Sequence, residues 1–75
     1  MKKYYLIKQL TNTQEQDASS ISVFDTLNNA IVNYHNTLSA YHNADDVLYA
    51  VVMIHDFYGR VVGGYSETVD HRTEA

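Results

Sequence analysis

The sequence predicts an α+β fold: a single β-α-β-β domain in which one helix lies on one face of a three-stranded, mainly antiparallel sheet. Three observations carry this. A run of aromatic and branched residues lies near the N-terminus, one apolar stripe recurs at helical spacing in the middle, and two apolar runs flank a tight-turn signal toward the C-terminus. Residues 1–69 make the domain, and 70–75, which lose all hydrophobic patterning, are expected to form a polar flexible tail.

Lys3 to Leu10 reads as the first strand, with Tyr5 and Ile7 on one side and Tyr4, Leu6 and Leu10 on the other. Both of its faces are apolar. Thr11 to Ser20 is polar and holds no hydrophobic residue larger than Ala18, so an exposed loop is expected there.

Ser22 followed three residues later by Asp25 is a variant capping box, and the helix is expected to begin at this point. Leu27, Ile31, Tyr34, Leu38 and Tyr41 then alternate spacings of four and three, which puts them on one stripe with Phe24 and Ala30 at its margin. Asn43 supplies a stop. On the outer side stand Asn28, Asn29, Asn33 and Asn36, poor helix formers, so packing on the sheet must supply much of this helix's stability.

Val47 to Thr68 reads as one hairpin around Asp56-Phe57-Tyr58-Gly59-Arg60, in which Asp56 opens the turn and Gly59 takes the positive-φ position of a three-residue loop. Pairing Asp56 with Arg60 sets Ile54 against Val62, Val52 against Gly64, Val51 against Tyr65 and Tyr49 against Glu67. The even residues Leu48, Ala50, Val52, Ile54, Val62, Gly64, Ser66 and Thr68 then face the helix. The odd face holds Val47, Tyr49, Val51, Met53, His55, Val61, Gly63, Tyr65, Glu67 and Val69. It is too apolar to meet water alone, and only one helix is available to cover the sheet.

A β-α-β-β unit can place its first strand beside its last, in the spatial order first, third, second. That arrangement resembles the first part of a ferredoxin-like fold without its second helix and fourth strand. The alternative sets the first strand parallel to the second through a right-handed crossover.

At 75 residues and 8.6 kDa the chain buries only about 60% of its unfolded surface, so its core is small. It has no cysteine, which removes disulfides, thiolate metal sites and a Cys nucleophile, and leaves self-association as the simplest further source of stability. A net charge of -4 with five basic residues argues against direct nucleic-acid binding. Lys2, Lys3 and Lys8 fit a solvated strand edge. The apolar stretch after Lys3 ends at Lys8, too short for a signal peptide, and no run approaches the length of a membrane span. A cytoplasmic location with no membrane partner is expected.

No constellation for chemistry emerges. His35 and His42 lie about 10.5 Å apart along a helix axis, too far to share a metal ion. His42 with Asp45 or Asp46 makes a weak candidate cation site, against the plainer reading of polar helix-end solvation. His35 and Ser39 are helical neighbours without a third group to orient the histidine. His55 could titrate inside an interface, and Asp56 opposite Arg60 supports the turn. Gly63-Gly64 has no helix start after it, so it marks a bulge or a close approach rather than a phosphate loop. No cofactor, metal site or catalytic residue is expected, and the chain is expected not to be an enzyme.

Tyr4-Tyr5-Leu6-Ile7, the Asn-rich helix and Gly63-Gly64-Tyr65 together give a texture that resembles small uncharacterised proteins of bacteriophages and mobile elements of gram-positive bacteria. The resemblance implies an accessory role through protein contacts, including inhibition of a host protein, and transfers no site residue.

The residues therefore point to a non-enzymatic protein-interaction module, homodimeric or bound to another protein, acting through Tyr49, Val51, Met53, Val61 and Tyr65 on the open sheet face. The alternative is a phage-type inhibitor or nucleic-acid mimic that engages a host enzyme.

Overall fold

A computed structural model describes residues 3–72. Across them the chain runs β1 (Tyr4–Asn12), β2 (Asp17–Phe24), α1 (Leu27–Asn43), β3 (Val47–His55) and β4 (Val61–Asp70). The fold is α+β, one helix on a four-stranded sheet of order β2-β1-β3-β4, with every neighbouring pair antiparallel.

The fourth strand is β2, where an exposed loop and a helix start were expected. Its hairpin with β1 closes as the C-terminal one does. Asn12 N–H donates to Gln16 O at 3.0 Å, Glu15 N–H to Asn12 O at 2.9 Å, and Glu15 has φ 61. In the second hairpin Asp56 N–H donates to Arg60 O at 2.8 Å, Gly59 N–H to Asp56 O at 3.0 Å, and Gly59 has φ 81. The opening side chains also match. Asn12 Oδ1 accepts from Gln14 and Gln16 N–H, and Asp56 Oδ1 from Tyr58 and Arg60 N–H. The first loop was hidden because a glutamate occupies the position where the second has glycine.

This extra reversal also changes the strand order. Because β2 brings the chain back before the helix, β3 descends beside β1 antiparallel to it, from Tyr5 opposite His55 to Thr11 opposite Tyr49. Neither the expected order, with the first strand beside the last, nor a parallel crossover is formed. The ferredoxin-like order gives way to β-β-α-β-β.

The helix starts later than expected, with Thr26 as N-cap, its hydroxyl accepting from Asn29 N–H at 3.2 Å. Ser22 lies in β2, and Asp25 receives the Lys3 ammonium group. The stripe is as predicted: Ala30, Tyr34 and Leu38 are buried, while Leu27, Ile31 and Tyr41 pack around them. They cover Leu6, Ala50, Val52, Ile54 and Val69, the deepest residues of the sheet.

Asp70 and His71, expected in the tail, are bonded into the sheet. Asp70 ends β4, His71 N–H donates to Leu48 O at 2.8 Å, its ring Nδ1 donates to Val47 O, and Arg72 grips the Asp70 carboxylate through Nε and Nη2. The rest of the expected tail, 73–75, lies outside the described residues, as does Lys2. Among the described residues no helix is long and apolar enough to cross a membrane.

Candidate functional site: the open sheet face

Strand alternation and the pairing registers place four residues of each strand on the side away from α1. Reading across from β2 to β4, one row is Val23, Tyr5, His55, Val61, and the next is Ile21, Ile7, Met53, Ser66. Beyond them come Ser19, Gln9, Val51, Thr68 and then Asp17, Thr11, Tyr49, Asp70. The face is divided across its length. Its first two rows are mainly apolar, and its last two carry hydroxyls, an amide and two carboxylates around Val51 and Tyr49.

The apolar half is open to solvent, with Ile21 63%, Val23 56% and Val61 48% exposed. Tyr5, Ile7, Met53 and His55 lie between them, half-buried by their neighbours alone. His55 Nε2 stands 3.2 Å from Met53 Sδ, which holds the two side chains over the sheet centre. Large branched side chains left in water on adjacent strands favour removal from it by a second surface.

The polar half is internally satisfied. Thr11 Oγ1 donates to Asp17 Oδ1 at 2.6 Å. The Arg72 guanidinium lies 5.0 Å from the centre of the Tyr49 ring while pairing with Asp70, whose carboxyl it holds down at about 2. Tyr49 is thus partly capped from within the chain.

Of the five residues the sequence assigns to this surface, Tyr49, Val51, Met53 and Val61 share it and Tyr65 does not. The register explains the difference. His55 pairs with Val61, but Met53 pairs with Ser66 and Val52 with Glu67, so three additional residues enter β4 between these pairs. Gly64, at φ 86, turns the strand there. An odd insertion exchanges the faces, so beyond it Tyr65, Glu67 and Val69 look toward the helix, and Ser66 and Thr68 away from it. Gly63-Gly64 is the bulge that the sequence suggested and not a close approach, since a Cβ on either glycine would meet nothing within 4 Å. Val47, expected on the open face, is buried in the core beside the register shift at Thr11/Asn12.

Ile21 and Val23, the most exposed of the apolar residues on the face, were missed. Their signal is the alternation Ser20-Ile21-Ser22-Val23, which a capping-box reading of Ser22 obscured.

The remaining candidates are dispersed. His35 sits beside the rings of Tyr34 and Tyr65, at 5.3 and 6.5 Å between centroids. His42 Nε2 lies 3.8 Å from Glu67 Oε2, and its ring is 6.4 Å from that of His71. Among the described residues no group of three or more His, Asp or Glu is placed to hold a metal ion. Burial raises the Tyr34 hydroxyl pKa, with Glu67 and Tyr65 adding to the rise, and burial also raises Tyr41. Both tyrosines belong to the core cluster or its margin.

Comparison with protein-family models, with curated proteins and with solved structures yields no match to this chain.

Proposed function

We propose that this chain is a small non-enzymatic protein-interaction module, a homodimer that works through the apolar half of its open sheet face. The observation that carries this reading is the block formed by Tyr5, Ile7, Ile21, Val23, Met53 and Val61, which spans all four strands on the side without a helix. Its centre, Ile7 opposite Met53, is flanked by exposed aliphatic groups at both sheet edges, the pattern of an interface core. The hydroxyl and carboxylate rows beyond it form a polar boundary on one side, which would orient whatever docks.

The test is substitution at the centre. Ile7→Glu and Met53→Glu place a charge on the face without touching the helix side, and each is expected to abolish capture of a protein partner by that face. Retention of every association by both variants, with circular dichroism unchanged, would remove this surface from consideration.

A further inference from the structure

The two edges of the sheet are unlike. On β4 the bulge at Gly64 breaks the ladder, and the straight part ends at Asp70. A bulged, charged edge resists pairing with another strand. On β2 the register with β1 is unbroken over all eight residues, and the strand contains no Pro, Lys or Arg and no charge after Asp17. Among the described residues nothing pairs with its outer side.

The residues that present backbone groups outward follow from the hairpin. Asn12 and Gln16 form a hydrogen-bonded pair, and such pairs alternate along an antiparallel ladder. Ala18, Ser20, Ser22 and Phe24 therefore bond to β1. The N–H and C=O groups of Asp17, Ser19, Ile21 and Val23 point away from the sheet.

We propose that two copies of this chain join β2 to β2, antiparallel, about a two-fold axis at Ile21, turning two four-stranded sheets into one of eight strands. A strand paired with itself about a two-fold is self-complementary by symmetry. This register sets Ile21 against Ile21 and Ser19 against Val23 of the second copy, all from the outward-bonding row. On the helix side it sets the small, exposed Ala18 beside the bulky Phe24 of the second copy and Ser20 beside Ser22, and at each end Asp17 meets Asp25 of the second copy, whose charge its own Lys3 offsets. The inference rests on reading the chain as a self-associating interaction module and assigns the self-contact to this edge. The two apolar half-faces then lie side by side on one continuous surface.

Ser19→Pro tests it, because the lost N–H points outward and the β1 ladder is untouched. By symmetry two interface hydrogen bonds disappear, enough to weaken the dimer about tenfold or more. Sedimentation of the 75-residue chain is expected to show a wild-type dimer, a Ser19→Pro monomer with unchanged circular dichroism, and a dimer for Val32→Glu, which lies on the exposed side of the helix away from the edge. A folded Ser19→Pro dimer would overturn the edge assignment and leave the face reading standing. A wild-type monomer at every concentration would overturn the edge assignment and the homodimer alike. Should Ser19→Pro fail to fold, amide exchange of the wild type decides: protection of Ser19, Ile21 and Val23 amides that vanishes on dilution supports edge pairing, and free exchange of these amides in a dimeric sample overturns it.

Discussion

Tyr65 on β4 stands edge-on to Tyr34 of the helix, ring centroids 5.6 Å apart at 88°, and this contact takes Tyr65 to the core side of the sheet. Aromatic pairs of this geometry are worth about 1 kcal/mol beyond the area they bury. A double-mutant cycle of Tyr34→Leu and Tyr65→Leu, followed by urea unfolding, is expected to give a coupling of about 1 kcal/mol. Tyr65→Glu should lower stability, whereas Met53→Glu should act on association. A coupling near zero would mean that the rings are not in contact in solution.

The bulge that redirects Tyr65 depends on Gly64, whose φ of 86 an L side chain adopts at a cost of about 1–2 kcal/mol. Space is not the obstacle, since a Cβ there meets nothing within 4 Å. Gly64→Ala is expected to lose about 1 kcal/mol in chemical denaturation, and Gly63→Ala markedly less. Equal losses at the two sites would contradict the bulge geometry.

The twin loops make opposite predictions at equivalent positions. Glu15 holds φ 61 where Gly59 holds φ 81, so Glu15→Gly should raise stability by about 1 kcal/mol and Gly59→Ala should lower it by a similar amount. Thermal melts of both variants check the pair, and a destabilising Glu15→Gly would show that the first hairpin closes differently.

Acid should loosen the β3–β4 end of the sheet. Backbone N–H groups of Arg60 and Tyr58 hold the Asp56 carboxyl below its ordinary value, and the Arg72 side chain and N–H hold Asp70 at about 2. Both groups have lower pKa values folded than unfolded. Their contribution is present above the unfolded value of about 3.9 and is lost as pH falls through the folded values, toward about 2 for Asp70. The melting temperature is therefore expected to drop between about pH 4 and 2, and less so in Asp56→Asn. Asparagine already opens the first loop at Asn12, so this variant should keep the turn. An identical acid profile in Asp56→Asn would deny Asp56 this role.

The core gives the simplest check of the fold. Ile54 of β3 is fully buried in the core cluster, and truncating such a side chain leaves a cavity that costs about 2–5 kcal/mol. Ile54→Ala should lose about 3 kcal/mol in urea unfolding, while Val32→Ala, on the exposed side of the helix, should stay within about 0.5 kcal/mol.

The sequence by itself determined the α+β class, the helical stripe from Leu27 to Tyr41, the turn at Asp56 to Arg60, and the covered face of β3. Each rests on local spacing, or on one residue whose conformation the backbone demands. The pairing of the strands was settled only in three dimensions. The β1–β2 hairpin lacks a glycine at Glu15, so its turn left no compositional mark, and without that strand the direction of β3 relative to β1 could not be inferred. The bulge at Gly64 shifts the β4 register by an odd number, which removes Tyr65 from the open face and leaves Tyr49, Val51, Met53 and Val61 upon it. Both outcomes depend on hydrogen bonding between segments distant in sequence. The alternation of a single strand records that it has two faces, and only the neighbouring strand and the helix decide which of them meets water.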